Sequence, residues 1–410
     1  MPCGNRTGAV QSSGVVITGI EHPLELAMRL SPVVALRLIF ALNAIGISVW
    51  FPRIPDVKAL LEVDLLILSF CFFMLPVGTI LGFFSAPAIL QRFGARQVCI
   101  VAGPLFILMF IPPAMASTAV QLGAALFFAG LTIASIEVAM NGKAVEIEAT
   151  STRRIMSSCH GFWSIGSMTG ALLGGAAGAI GLSFLAQQLI LAPLLALAAY
   201  AIARALPADA PGTEKAGPPR LSIPKGALLA VCALPMGALM IEGAMMEWSA
   251  LFLRGDLGAG PFWAGACFAG FSLAMALSRM SGDLVIARLG PSRVLIASAV
   301  VAGLGIAGFA MSPNVEVALL AAVILGTGAG NIYPLAMSRA AQVPGRSPED
   351  NIAVVAFTAF SVFLIGPPLI GTLAHFLGLP MALLLLTPAA LYPLFLVTAS
   401  LGAQPQGSPG

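Results

Sequence analysis

The stretch Arg92-Phe93-Gly94-Ala95-Arg96 lies between two long apolar segments, and a similar stretch, Arg288-Leu289-Gly290-Pro291-Ser292-Arg293, follows 196 residues later in the same setting. A parallel repeat of a multi-helix unit is typical of large secondary transporters, whose solute site lies between the two halves. The repeat therefore predicts two copies of one membrane bundle, and it points to transport.

Two glycine pairs support the duplication at the same offset: Gly130 matches Gly326, and Gly170 matches Gly366.

Hydrophobic residues make up 59% of the 410 positions, charged residues make up only 9%, and the mean hydropathy is +0.98. Such a composition excludes a soluble globular protein. The apolar runs are too long and too uninterrupted for barrel strands, so we predict an all-α membrane protein.

A helix needs about 20 apolar residues to cross the hydrocarbon layer of a bilayer. Twelve such stretches are predicted, at 33–51, 65–90, 98–116, 119–141, 160–181, 183–205, 226–250, 261–287, 294–312, 316–338, 352–376 and 380–401. The longest Pro- and Gly-rich polar interruption lies near the midpoint. We therefore predict a lead at 1–32, a six-helix bundle at 33–205, a linker at 206–225, a second six-helix bundle at 226–401 and a tail at 402–410.

The basic residues are distributed very unequally between the two sides of these spans. Sixteen of the 20 Lys and Arg residues, Lys143 and Arg279 among them, fall on one side. Arg53, Lys58 and Arg254 fall on the other side, and Arg37 falls inside the first span. The positive-inside rule makes the basic side cytoplasmic and predicts a multi-pass protein of the bacterial inner membrane with both termini inside. Topology accounts for the net charge of +3, so no nucleic-acid partner is expected.

Small residues and prolines mark two of the predicted spans. The fifth has Gly166, Gly170, Gly174 and Gly178 along one helical face, which allows a neighbouring backbone to approach closely. The eleventh contains Gly366-Pro367-Pro368, which predicts a kink or local unwinding. These features fit either ordinary tight packing or a pivot between rocking halves.

The loop residues resemble the signature of the major facilitator superfamily, and the resemblance covers essentially the whole chain. That signature combines a glycine, an acid and a basic-aromatic-glycine-basic run. The first copy has Gln91 where the acid usually stands, whereas the second copy has Gly282-Asp283 before its basic turn. The resemblance implies a cytoplasmic latch that holds the outward-facing state, formed by Arg92, Gly94, Arg96, Asp283, Arg288 and Gly290.

A narrower resemblance is to bacterial permeases near the fucose permeases. It rests on four stretches: Trp50-Phe-Pro-Arg-Ile-Pro-Asp-Val-Lys58, Glu137-Val-Ala-Met-Asn141, His160-Gly-Phe-Trp-Ser-Ile-Gly166 and Glu242-Gly-Ala-Met-Met-Glu-Trp-Ser249. The substrates of that branch range over sugars and vitamins such as riboflavin. Within the second motif, Asn141 joins Glu137 as a predicted solute contact.

Three ionisable residues, Arg37, Glu137 and Glu242, fall within the predicted spans. Each costs about 2.5 to 3.5 kcal/mol in the bilayer unless it is paired or faces water. We expect an ion pair between Arg37 and Glu137, acting either as a fixed brace or as a gate. Glu242, in the outer part of its span, is the predicted proton or solute site. Glu247 is interpreted as a solvated helix end beside an interfacial Trp.

Other polar and aromatic residues add to the predicted site. Asn43 and Asn331 lie near mid-membrane and fit either a solute contact or an interhelical hydrogen bond. Trp163 and Tyr333 offer ring faces for a sugar or heterocycle, or simply pack in the core. His160, at the cytoplasmic end of the fifth span, fits a proton relay or a structural role.

Several alternatives are excluded or ranked lower. The three histidines are too far apart for a metal site, and no phosphate-binding loop occurs. We therefore expect neither enzymatic activity nor a cofactor. The leading prediction is a monomeric secondary transporter that takes up a small polar or amphiphilic solute by proton coupling, with riboflavin or a related vitamin as the first substrate. The alternatives are a fucose-like monosaccharide symporter, a drug or metabolite exporter and an intramembrane sensor.

Overall fold

The computed structural model describes residues 30–149, 155–209, 223–346 and 348–402, and all regular secondary structure in these ranges is helical. Most of the predicted lead and linker, and nearly all of the tail, lie outside the described residues. The apolar stretches fold as helices because a bilayer offers no water to satisfy peptide groups. The fold class predicted from composition is therefore confirmed.

Twelve long helices, several of them in two pieces, are found within the described ranges. They are α1 Pro32–Ser48, α2 Leu65–Phe93, α3 Ala95–Leu108, α4 Ala119–Ala149, α5 Met156–Ala179, α6 Phe184–Ala203, α7 Ala227–Gly255, α8 Pro261–Leu289, α9 Pro291–Ala310, α10 Val315–Ala340, α11 Pro348–Leu377 and α12 Leu379–Gly402. Eleven of the spans are long and apolar enough to cross a membrane by length and hydropathy. The exception is α5, whose six glycines lower its hydropathy.

Helix interruptions divide α7, α10 and α12. The first stops at Ala233 and resumes at Met236, the second stops at Ala329 and resumes at Ile332, and α12 consists of Leu379–Leu384 and Thr387–Gly402. By contrast, α11 runs without a break through Pro367 and Pro368, where unwinding was one of the two expectations.

The two ends of the bundle are named here by the path of the chain. The N-terminal side is the end at which α1 begins, and the far side is the opposite end. After α1, a 3-10 turn at Phe51–Arg53 and a short helix at Ile54–Leu61 cover part of the far side. The short helix α3 is extended toward the far side by Ile111–Met115.

The predicted duplication appears in the backbone geometry. Gly94 has φ 80° and ψ 154°, and Gly290 has φ 82° and ψ 151°, each directly before a helix. A residue with a side chain rarely adopts this conformation, which explains why both turns have glycine. A Cβ on Gly130 would lie 2.1 Å from the carbonyl oxygen of Leu75, and one on Gly326 would lie 2.2 Å from that of Phe271. These carbonyls are also 196 residues apart, so α2–α4 and α8–α10 pack in the same way.

One glycine pair departs from this symmetry. A Cβ on Gly170 of α5 would lie 2.7 Å from the carbonyl oxygen of Ile45 in α1, whereas a Cβ on Gly366 of α11 would meet nothing within 4 Å. The close contact between α1 and α5 in the N-terminal half therefore has no equivalent at this level between α7 and α11. A gap lies there instead.

The glycine face of α5 packs on the backbone of α1. Cβ atoms on Gly166 and Gly174 would lie 2.3 and 2.5 Å from the carbonyl oxygens of Ala41 and Val49. These contacts are inside one half, so they join two helices of the same bundle. Gly175 and Gly178, at the far end of α5, instead approach Pro261 of α8 in the other half.

Gly166→Ala is expected to destabilise the protein by about 1 to 3 kcal/mol, because the added methyl group must displace the backbone of α1. Thermal unfolding of the purified protein measures the loss. Gly142→Ala is the matched control, because a Cβ at Gly142 of α4 meets nothing within 4 Å. Equal unfolding temperatures for the two variants would contradict the packing argument.

The tightest contacts between the halves lie toward the far side. A Cβ on Gly265 of α8 would lie 2.4 Å from the carbonyl oxygen of Ala171 in α5, and one on Gly371 of α11 would lie 2.1 Å from the Cβ of Ser69 in α2. The rings of Phe51 and Phe268 meet edge to face at 5.2 Å in the same region. The far side is therefore closed in this structure.

Candidate functional site

An ion pair lies near the middle of the C-terminal half. Arg279 Nη2 of α8 is 3.3 Å from Glu242 Oε2 of α7, and the two side chains are 20% and 16% exposed. Glu242 is the sixteenth residue of the 29-residue span Ala227–Gly255. Its predicted place in the outer part of the span was wrong, because the helix runs five residues beyond its predicted end at 250.

The interruption of α10 helps to position this arginine. Arg279 Nε donates to the carbonyl oxygen of Gly330 at 3.3 Å, at the point where the helix is broken. Asn331 Nδ2 donates to Ser278 Oγ at 2.9 Å, which ties the break to α8. A broken helix exposes backbone groups that can bind polar side chains inside a membrane.

Arg279 is the main site residue that the sequence analysis missed. It was counted with the basic residues of the cytoplasmic side, although it lies within the predicted span 261–287. In the structure it is the nineteenth of the 29 residues of α8. Its depth within the span was the signal that could have revealed it.

Tyr333 connects this pair with the N-terminal half. The tyrosine lies within electrostatic range of Glu242 and Arg279, and also of Glu137 from α4. Glu137 Oε1 accepts a hydrogen bond from Asn141 Nδ2 at 3.0 Å. Carboxylates from both halves therefore approach one tyrosine.

The predicted ion pair between Arg37 and Glu137 was wrong. Among the described residues, Arg37 forms no ion pair; its Nε donates to Ser158 Oγ of α5 at 2.9 Å, and its guanidinium lies 5.8 Å from the ring centre of Phe162. The first helical turns of α1 present Arg37 to α5 rather than to α4. Arg37 is half-buried in this position.

His160 and Trp163 lie on α5, close to the same region. The imidazole of His160 packs edge to face on Phe40 at 5.4 Å and lies within electrostatic range of Arg279. Trp163 lines a cavity together with Glu242. The cavity lies between the two halves, and its other polar lining residues are serines of α5 and α8, namely Ser164, Ser167 and Ser272.

Asn43 lies apart from this group. It is fully buried, its Nδ2 donates to the carbonyl oxygen of Ile39 at 2.9 Å, and it faces Gly103 of α3 and Ile136 of α4. Two predicted residues, Trp163 and Glu242, line the cavity between the halves. Tyr333 and His160 lie within electrostatic range of Arg279, and Tyr333 is also in range of Glu137, which is bonded to Asn141. Asn331 lies next to them, in the break of α10.

A second charged cluster closes the far side. Asp56 forms ion pairs through its two carboxylate oxygens with Arg53 of the N-terminal half and Arg254 of the C-terminal half. Arg53 also donates to Gln187 Oε1 at 2.7 Å and to the carbonyl oxygen of Leu182 at 2.8 Å. The sequence assigns these arginines to the side opposite the cytoplasm, and no local pattern predicts that they meet at Asp56.

The first copy of the predicted latch contacts its own half. Arg96 donates to the carbonyl oxygens of Leu206 and Arg204 at 2.8 and 2.9 Å, and its backbone N–H donates to Asp209. Asp209 also pairs with the fully buried Lys143 at 2.8 Å. Asp209 thus supplies an acid beside a basic turn that has Gln91 at the usual acidic position.

The remaining latch residues are near the surface. Arg92 is exposed and lies 5.3 Å from the ring centre of Phe93. Asp283 and Arg288 are exposed on α8, and Gly290 forms the turn that follows it. No latch residue contacts the opposite half within the described ranges. In those ranges, no group of three or more His, Cys, Asp or Glu residues could hold a metal ion.

Three comparisons with known proteins agree with this architecture. The sequence profile of the Major Facilitator Superfamily matches residues 36–347. An uncharacterized MFS-type transporter of Yersinia pestis is 29% identical over 381 residues, covering 90% of this chain and 97% of that protein. Membrane protein MosC of Rhizobium meliloti is 26% identical and covers 86% of each chain.

Solved structures share the fold. The nucleoside transporter NupG superposes with a TM-score of 0.72 at 11% identity, covering 92% of this chain and all of that one. An inward-facing, occupied bacterial homologue of the lysosomal transporter Spinster gives a TM-score of 0.70 at 14% identity, covering 92% and 98%. The Escherichia coli fucose:proton symporter FucP gives 0.57 at 16% identity, covering 90% and 98%.

Proposed function

The chain belongs to the major facilitator superfamily, and on that basis we propose that it is a secondary transporter for a small, uncharged polar solute. Members of this family are transporters rather than enzymes, and the solute site of such proteins lies between two bundles that rock in turn. The residues around Glu242 and Tyr333 occupy that place here. They form the proposed solute site.

The balance of charge in this region carries the proposal. Glu242, which lines the cavity, is paired with Arg279, so the formal charges of this pair cancel. A cavity whose formal charges cancel offers an ionic solute no net compensation for leaving water, whereas it offers a neutral solute many hydrogen-bond partners. An uncharged solute with hydroxyl or amide groups therefore fits best.

Riboflavin or a related vitamin is the first substrate proposed. Riboflavin joins an aromatic heterocycle to a polyhydroxyl chain, and the site contains rings as well as polar groups. Trp163 and Tyr333 can stack on a heterocycle, while Glu137, Asn141 and Glu242 can bind hydroxyl groups. NupG, a nucleoside transporter, and FucP, a fucose:proton symporter, share the fold. Their substrates as named also make a monosaccharide the second candidate.

The proposed orientation places the N-terminal side in the cytoplasm of a bacterial inner membrane, because most basic residues lie there. The far-side closure then corresponds to a state that is closed toward the exterior. We propose proton-coupled uptake by a monomer, with bundles 33–205 and 226–401 moving on either side of linker 206–225.

Growth of a riboflavin auxotroph that lacks its own uptake system tests the proposal. Expression of the chain is expected to restore growth on micromolar riboflavin and to allow uptake of labelled riboflavin that an uncoupler abolishes. Competition by excess unlabelled fucose tests whether the protein binds a monosaccharide, the second candidate substrate. Uptake equal to that of the empty vector would reject riboflavin, and resistance to a toxin on expression would favour an exporter.

A further inference from the structure

A second carboxylate, Glu247, lies inside α7 without a cationic partner. It is the twenty-first of the 29 residues of Ala227–Gly255, eight residues before the far end. No Lys, Arg or His of the described residues lies within ion-pair distance of it, whereas Glu242 is paired with Arg279. The interpretation of Glu247 as a solvated helix end is therefore wrong.

Glu247 lines a cavity between α7 and α11. On α11 the wall includes Phe363, Gly366 and Pro367, and on α7 it includes Gly243. Every other residue that lines this cavity is apolar, glycine or proline. An ionised carboxylate in such a wall has no counter-ion, and the neighbouring Trp248 side chain offers it a single hydrogen-bond donor in place of water. The neutral form is therefore favoured while the cavity is dry.

The cavity lies where the two halves differ. In the N-terminal half, Gly170 brings α5 onto the backbone of α1, but in the C-terminal half a Cβ on Gly366 would meet only open space. At this level the duplicated unit is tightly packed in the N-terminal half and open in the C-terminal half, where Glu247 lies beside the gap. A simple packing defect would not require Glu247 to face it.

The charged groups on the elements packed against α7 lie away from this cavity. On α7 itself, Arg254 pairs with Asp56 of the short far-side helix. On α11, His375 lies 3.8 Å from Asp64 of α2 at the far end.

The same is true of α8 and α10. Arg279 of α8 pairs with Glu242. On α10, Glu316 lies in the first turn and Arg339 in the last turn, where it donates to Ser292. None of these charged groups lines the cavity of Glu247.

We propose that Glu247 is the proton-binding group of this transporter and that its protonation favours closure of the far side. This rests on the proposed proton-coupled uptake and assigns the proton to Glu247 and the solute to the region of Glu242. With the far side closed, the carboxyl group is neutral in a dry cavity. Opening of the far side admits water, and the ionised form stabilises this open state until the carboxylate binds a proton from that side, which favours closure.

The sign of the pH effect follows from this scheme. Raising the pH removes the proton and increases the open population, by up to about tenfold per pH unit for one proton. Ser69 is a suitable reporter because it is fully buried against Gly371 in the far-side contact between α2 and α11. We would introduce Ser69→Cys after replacing the six native cysteines with serine.

The experiment measures the labelling rate of this cysteine by a maleimide as a function of pH, with the purified full chain in lipid nanodiscs. Because maleimide reacts with the thiolate, whose fraction rises with pH, each rate is divided by that of an exposed reference cysteine, Ser117→Cys, at the same pH. This normalised rate is expected to rise with pH in the parent and to be constant in Glu247→Gln. Glu247→Asp keeps a titratable group and is expected to restore a pH dependence. Thermal unfolding checks that each variant is folded.

Glu242→Gln is the discriminating variant and is expected to retain the pH dependence. A constant rate in the parent, persistence of the pH dependence in Glu247→Gln, or its loss in Glu242→Gln would overturn the proposal. The measurement needs no solute, so failure of the riboflavin assay alone would reject the substrate and leave the proton site standing.

Discussion

Arg279→Gln is expected to abolish uptake of the solute that rescues growth and to lower the unfolding temperature. The substitution leaves Glu242 without its cation and the carbonyl oxygen of Gly330 without its donor. Removing one partner of a buried pair costs about 3 to 5 kcal/mol, and the remaining exposure of these side chains places the loss at the lower end. A loss of about 3 kcal/mol in solute binding corresponds to about 100-fold.

A double variant separates stability from recognition. Arg279→Gln combined with Glu242→Gln removes both charges, so the unfolding temperature is expected to recover while uptake stays absent. Arg293→Gln is the matched control, since Arg293 is an exposed arginine at the start of α9. Uptake by Arg279→Gln within about twofold of the parent would remove this arginine from the proposed site.

Asp56→Asn is expected to open the far side. Asp56 joins the halves through Arg254, while Arg53 keeps its bonds to Gln187 and Leu182 within its own half. A charged hydrogen bond contributes about 1.5 to 3 kcal/mol. Because 1.4 kcal/mol is a factor of ten, the open population is expected to rise about tenfold or more.

Labelling of the Ser69→Cys reporter measures this population, here at constant pH. Asp64→Asn is the matched control, because it is also an aspartate on the far side and asparagine still caps α2. Its contact with His375 is longer, at 3.8 Å, and more exposed. Equal labelling rates in the two variants would show that Asp56 does not hold the far side closed.

The sequence predicted the architecture because its signals are local and repeated. Hydropathy located every span to within several residues, and the offset between Gly94 and Gly290 correctly predicted two similar bundles. The match of Gly170 with Gly366 was misleading in one respect. The residues are equivalent in position, but their surroundings differ, and a single sequence does not reveal which helix faces a glycine.

The site was predicted less completely, for two physical reasons. Hydropathy gives the depth of a residue only as well as it gives the helix end, so Glu242 was placed too far out. Hydropathy also does not tell which way a residue points around the helix axis. It therefore could not predict that Arg37 faces Ser158 of α5 instead of Glu137 of α4. Asn43 was predicted at a suitable depth but faces α3. Trp163 and Glu242 do line one cavity, and Tyr333 lies within electrostatic range of Glu242 and Glu137. The roles of Glu137, Asn141, His160, Trp163, Glu242 and Tyr333 in transport remain predictions.

The carbonyl oxygen of Gly330 holds Arg279 through the main chain, and every amino acid has such an oxygen. Genetic screens that exchange side chains would therefore overlook this acceptor and would credit its contribution to neighbouring positions. Chemical synthesis of the segment with an ester in place of the amide after Gly330 would weaken the acceptor while leaving all side chains unchanged. Collections of side-chain variants of other proteins with interrupted helices overlook such main-chain acceptors in the same way.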